Sequence, residues 1–141
     1  MATFNKVYSF TENVAEGVFN LGTDQLKVAL TNTAPTTGDT VYASLTAPLA
    51  TTNLSGATPF NVTTSTSAQT TGVYKLVCAD LVLTATGAVG PFRYVALYDD
   101  TPTSPADPLI GWYDYGSSIS LANTETFTID FDATNGVLTI T

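Results

Sequence analysis

In Thr124-Glu125-Thr126-Phe127-Thr128-Ile129-Asp130-Phe131, polar and apolar residues alternate strictly from Thr126 onward, which places Phe127, Ile129 and Phe131 on one face. A period of two is the signature of a half-buried strand, because successive strand side chains point to opposite faces. Asn135-Gly136 follows, the dipeptide best suited to a two-residue hairpin turn, and Val137–Thr141 then reads as a returning last strand. Upstream, Leu109–Gly116 reads as an aromatic strand, and Phe92–Tyr98 as a strand closed by Asp99-Asp100-Thr101-Pro102. Prolines 102, 105 and 108 keep the segment between them out of any sheet centre. Gly87–Pro91 reads as a turn, and Gly72–Ala85 as one long strand or two joined at a kink near Asp80. In Asp24–Thr31, Leu26, Val28 and Leu30 alternate with more polar neighbours, as in a further half-buried strand.

Strands joined by short turns, with no helices between them, predict a mainly β fold: an antiparallel β-sandwich or jelly-roll-like single domain over 1–141. Two segments depart from that pattern. Phe4, Val7, Tyr8, Val14, Ala15, Val18 and Leu21 recur at three- and four-residue steps, which predicts an N-terminal helix over about 4–21 ending at Gly22, with Gly17 weakening its last turn. From 32 to about 70 the chain is irregular and rich in Thr, Ser and Pro, with short strands expected only around 41–44 and 60–67. So long an excursion before the β-rich remainder, 71–141, is uncommon in a compact domain, and it lacks the charge of a disordered linker. It is expected to be ordered against something else.

Composition narrows the chemistry. The chain has 141 residues, 44% of them hydrophobic, and 27 are threonine, a β-branched type that suits pleated strands. Lys6, Lys27, Lys75 and Arg93 are the only cations against 12 carboxylates, giving a net charge of −8. Such a chain builds no basic patch for nucleic acid and is disfavoured at anionic membranes. No apolar run approaches the roughly 20 residues of a membrane span, and no secretory leader is expected from the first residues. The lone cysteine, Cys78, forms no internal disulfide, which fits synthesis in a cytoplasm. Histidine is absent altogether. That removes the commonest general base near neutral pH and imidazole metal ligands, so no catalysis, no cofactor and no metal site are expected.

Each candidate site also has an ordinary structural explanation. Asp130–Gly136 resembles a calcium loop superficially, but Asn135 stands where the loop's glycine belongs, and no twelfth-position glutamate follows. Asp99, Asp100, Asp107 and Asp114 sit where neighbouring strands would bring them together, yet acidic loop tips are usual in such folds and no signal marks one as buried. Cys78, in an apolar strand, reads as an inert thiol. Tyr113 and Tyr115 share the strand face opposite Ile110, Trp112 and Asp114, and read as core and subunit contact before sugar-stacking platforms. With Phe4, Val7, Tyr42 and Phe60 they form the expected protein-interaction residues.

LKVALTNTAP (26–35), TGVYKLV (71–77), GPFRYVALYDD (90–100), PLIGWYDYGSSISL (108–121) and ETFTIDFDATNGVLTIT (125–141) together resemble a family of small tailed-bacteriophage proteins. Its members open on a similar FNK…F…AEG…NL segment and are usually described as virion structural proteins; residues 41–70 depart most from the pattern. The resemblance implies a non-enzymatic virion component. The expected role is decoration, or cement, on the outside of the head, with a homotrimer binding the major capsid protein through residues 32–70. A neck or tail adaptor and a receptor- or glycan-binding module are the alternatives.

Overall fold

Alternation becomes sheet over most of the chain. The computed structural model describes residues 2–141. Its strands are β1 (Phe4–Lys6), β2 (Leu26–Thr31), β3 (Asn61–Val62), β4 (Thr64–Thr70), β5 (Val73–Cys78), β6 (Leu81–Thr84), β7 (Val89–Asp99), β8 (Leu109–Leu121), β9 (Thr126–Ile129) and β10 (Leu138–Ile140), with one helix, α1 (Ser9–Ala15), between β1 and β2. The molecule is mainly β, a single small antiparallel domain of the sandwich type.

One layer is a five-stranded sheet in the order β1-β8-β7-β2-β3. The other is built from two pieces, β10-β5-β4 and β6-β9. β5 and β6 are one course of chain broken at Ala79-Asp80, and β10 and β9 pair with its two parts: Leu138 opposes Leu76, and Ile129 opposes Leu81. Phe127, Ile129 and Phe131 turn inward as their alternation requires, and Phe92 meets Phe127 edge-on at 5.1 Å. Phe92 and Phe131 are fully buried. Each large apolar side chain so enclosed contributes about 1.5–3 kcal/mol.

Asn135-Gly136 does not make the expected hairpin, since β9 and β10 never pair with each other. Asp132 overrides the dipeptide. Its carboxylate accepts from the amides of Thr134 (3.1 Å) and Asn135 (3.0 Å) and from Asn135 Nδ2 (2.7 Å), while its carbonyl accepts from the Gly136 amide at 2.7 Å. A side chain that bonds its own backbone a few residues on folds the chain locally. The surplus residues loop out here, and the strand resumes along the same β5–β6 course.

The N-terminal helix is far shorter than 4–21. Phe4–Lys6 is the edge strand β1, with Phe4 opposite Tyr113 and Lys6 opposite Gly111. Gly111 makes room for it: a side chain there would stand 2.7 Å from the Phe4 ring. Tyr8, expected on the apolar stripe, is 74% exposed. The helix stops at Gly17, not Gly22. Gly17 takes φ +74°, its amide reaches the Val14 carbonyl at 3.3 Å, and the Val18 amide reaches the Asn13 carbonyl at 2.8 Å. Those two bonds are the Schellman arrangement, which wants glycine at the left-handed position. Gly17→Ala is therefore expected to lower stability by about 1 kcal/mol, measured by urea denaturation, because a Cβ disfavours that conformation.

Residues 32–70 are more regular than expected, and their own chain orders much of the segment. The strand around 41–44 is a single 3₁₀ turn (Tyr42–Ser44), whereas 61–70 is sheet. Leu45, Leu54 and Phe60 are buried anchors. Thr31 Oγ1 donates to the Thr46 carbonyl (2.6 Å), the Leu49 amide to Leu30 (2.7 Å), and the Val28 amide to Phe60 (3.0 Å). Anchors nine and six residues apart hold a loop that alternation does not reveal.

Candidate interaction surfaces

β3 runs into β4 through Thr63 alone, so the open edge of one layer continues into the open edge of the other. This β3–β4 side has an unusual electrostatic character. From Thr40 to Tyr74 the chain carries no charged residue, although its net charge is −8. β4 itself, TSTSAQT, is seven residues long, largely exposed and unpaired along its outer edge. Natural edge strands are usually guarded by charge or proline. A bulge between Thr64 and Thr66 is the one such guard here. Next to β3, a concavity of about 390 Å³ is lined by Tyr42, Leu49, Pro59, Phe60 and Tyr98, with Lys27, held by Asp100, as its charged lining residue. The structure thus brings Tyr42 and Phe60 together, with the Tyr42 ring 5.0 Å from Tyr98. Phe60 is buried as part of the concavity's wall.

The opposite side of the sandwich holds the other expected residues. A groove of about 380 Å³ opens between β8 and β9, with Tyr113 and Tyr115 along it. Tyr113 packs against Phe4 at 5.0 Å, and Tyr115 sits edge-on to Phe127 at 5.5 Å. Tyr115 is still 53% exposed. Burial, with the Asp130 and Asp132 carboxylates contributing, pushes the Tyr113 hydroxyl above its ordinary value, so it stays protonated. Val7 belongs to neither surface. It is buried, and its amide is tied to Ile110.

The four aspartates do not converge. Asp114 lies opposite Tyr94 and holds Arg93 through two bonds of 2.7 and 2.9 Å; Arg93 keeps its carboxyl below the usual carboxylate range. Asp99, Asp100 and Asp107 lie at the other end of β7, where Asp100 pairs with Lys27 at 2.8 Å. Of the four, Asp99 differs from the expected solvated loop charge. It is fully buried, with Oδ1 accepting from the Thr101 amide at 3.0 Å and Oδ2 unpaired. Burial, opposed by the Thr101 amide and reinforced by Asp24 and Asp100, pushes it up to about 7. It ends the apolar run VALYD, but that run alone does not mark it as buried, because its burial depends on which strands become neighbours.

Burial pushes the Cys78 thiol up to about 11, which leaves it un-ionised and unreactive near neutral pH. Among the described residues, no group of three or more acidic or cysteine side chains is placed to hold a metal ion. No helix among them is long and apolar enough to cross a membrane. No family model, curated protein or solved structure matches this chain.

Proposed function

We propose that the chain is a non-enzymatic virion structural protein of a tailed bacteriophage. In this reading a homotrimer decorates the outside of the head and cements the major capsid protein lattice through the β3–β4 side. The uncharged run from Thr40 to Tyr74 carries the proposal. Two molecules of charge −8 repel each other wherever carboxylates meet, and they approach at least cost where there are none. An open, uncharged strand edge offers backbone donors and acceptors to a neighbour, and closed symmetry keeps such pairing from running on as a fibre. The resemblance of LKVALTNTAP, GPFRYVALYDD and ETFTIDFDATNGVLTIT to small phage virion proteins favours the same reading. An exterior position fits the charge, because packaged DNA repels an acidic protein. A molecule that binds only the assembled shell stabilises it by mass action.

A guarding charge on the β4 edge tests this. Ala68→Lys lies on the exposed part of the strand and leaves the core untouched. It is expected to convert the trimer to monomer in light scattering and to weaken binding to undecorated particles at least tenfold. Thr139→Lys, on exposed β10, serves as the control and is expected to change neither. Equal behaviour of the two variants would contradict the proposal.

A further inference from the structure

The second layer ends at β9 on one flank, as it ends at β10 further along the same side. Bonds flanking the β6–β9 pair fix which backbone groups are free: the Ala85 amide donates to the Glu125 carbonyl (2.8 Å), and the Phe131 amide points the same way, donating to the Asp80 carboxylate (3.0 Å). Residues of an antiparallel strand bond to one neighbour alternately. Glu125, Phe127, Ile129 and Phe131 therefore face β6, while the amides and carbonyls of Thr126, Thr128 and Asp130 point away from it. β9 has no second neighbour in its sheet. Four consecutive residues, Phe127 to Asp130, line the groove, as expected of a strand presenting its edge. Tyr113 and Tyr115 lie along the same groove, with Tyr115 left half open to solvent where another strand would cover it.

Charge identifies the occupant. Asp130 is the groove's one charged lining residue, and Asp132 lies just beyond it. The two salt bridges among the described residues, Lys27–Asp100 and Arg93–Asp114, leave Asp130 without a cation. Among the described residues, the side-chain cations that a second copy could bring are all engaged. Lys27 and Arg93 are held in those pairs, Lys75 donates to the Thr134 carbonyl (2.9 Å), and Lys6 sits over the Phe10 ring.

We propose that this groove is a strand-acceptor site for a different, basic protein. An extended segment of that partner adds to β9 and bonds to the free backbone of Thr126, Thr128 and Asp130. It lays alternate apolar side chains on Tyr113 and Tyr115 and sets a lysine or arginine against Asp130. In strand addition of this kind the backbone supplies affinity, and the alternating side chains supply specificity. The site stands on the side opposite β3–β4, so its failure would leave the lattice-binding reading intact.

The test uses the full chain and a blocked peptide, Lys-Val-Thr-Val-Thr-Val-Lys, which presents a cation at either end whichever way it runs. A second peptide carries glutamate for both lysines. Amide exchange followed by NMR is expected to slow at least tenfold at Thr126 and Thr128 with saturating lysine peptide, and the glutamate peptide is expected to bind at least tenfold more weakly. Thr128→Pro removes an outward donor and is expected to abolish binding. Tyr115→Lys, at a half-exposed position, opposes the lysine peptide by charge and is expected to do the same while leaving the amide spectrum outside the groove unchanged. Equal binding of the two peptides would overturn the proposal, as would movement of the Tyr115 signals without amide protection, the outcome a glycan-type platform gives. Protection that grows with protein concentration in the absence of peptide would assign the groove to a second copy and overturn it too.

Discussion

Asp99→Asn is expected to raise the melting temperature at pH 8 and to remove most of the fall in stability between pH 5 and pH 8. The folded chain holds the Asp99 proton up to about pH 7, whereas the unfolded chain releases it near its ordinary value of 3.8. Between those values the fold binds the extra proton, so stability declines as pH rises and levels off above 7. At about 1.4 kcal/mol per pH unit, the full span costs at most about 4 kcal/mol. The window is unusually clean because the chain has no histidine and Cys78 ionises well above it. Asparagine keeps the acceptor for the Thr101 amide and turns a donor toward the Asp24 side, without a charge to bury. Thermal melts from pH 5 to 8 check this. Asp107, also raised by burial, is controlled by Asp107→Asn, which is expected to leave most of the slope in place. A variant at Asp99 whose melting temperature falls in parallel with the parent would contradict the assignment.

Phe92→Ala is expected to cost about 3–5 kcal/mol, the usual loss for truncating an enclosed aromatic ring. Phe92 has no exposed surface, and its ring is the edge contact that holds β7 against β9 across the layers. A domain of this size has about 5–15 kcal/mol in total. The variant is therefore expected to unfold at markedly lower urea, with the slope of the transition unchanged. A loss under about 1 kcal/mol would mean that the two layers are not held together at this contact.

What the sequence made legible follows from the length scale of each signal. β2 and the inward face of β9 were readable because alternation is a local consequence of one buried face, as with Leu26, Val28 and Leu30. The kink near Asp80 was readable too, and the chain does break at Ala79-Asp80 between β5 and β6. The helix was overextended because Phe4 and Val7 are spaced like helix residues, whereas Phe4 is drawn into β1 by the unpaired edge of β8 and the gap at Gly111. Asn135-Gly136 misled because Asp132, three residues earlier, has the stronger local bond. Residues 32–60 looked partner-dependent because their anchors, Leu45, Leu54 and Phe60, are single residues without a period. For the candidate surfaces, Tyr113 and Tyr115 were visible as an aromatic pair. The free edge of β9 and the burial of Asp99 were not, since both depend on which strands become neighbours.

Counting and locating the chain on purified phage particles, by quantitative proteomics with electron cryomicroscopy, tests the central claim most directly. A lattice-binding decoration is expected at hundreds of copies, as trimers on threefold or quasi-threefold positions of the outer head surface, with residues 32–70 against the major capsid protein. About six to twelve copies in a ring at the neck, a few trimers on the tail, or density inside the head would contradict it.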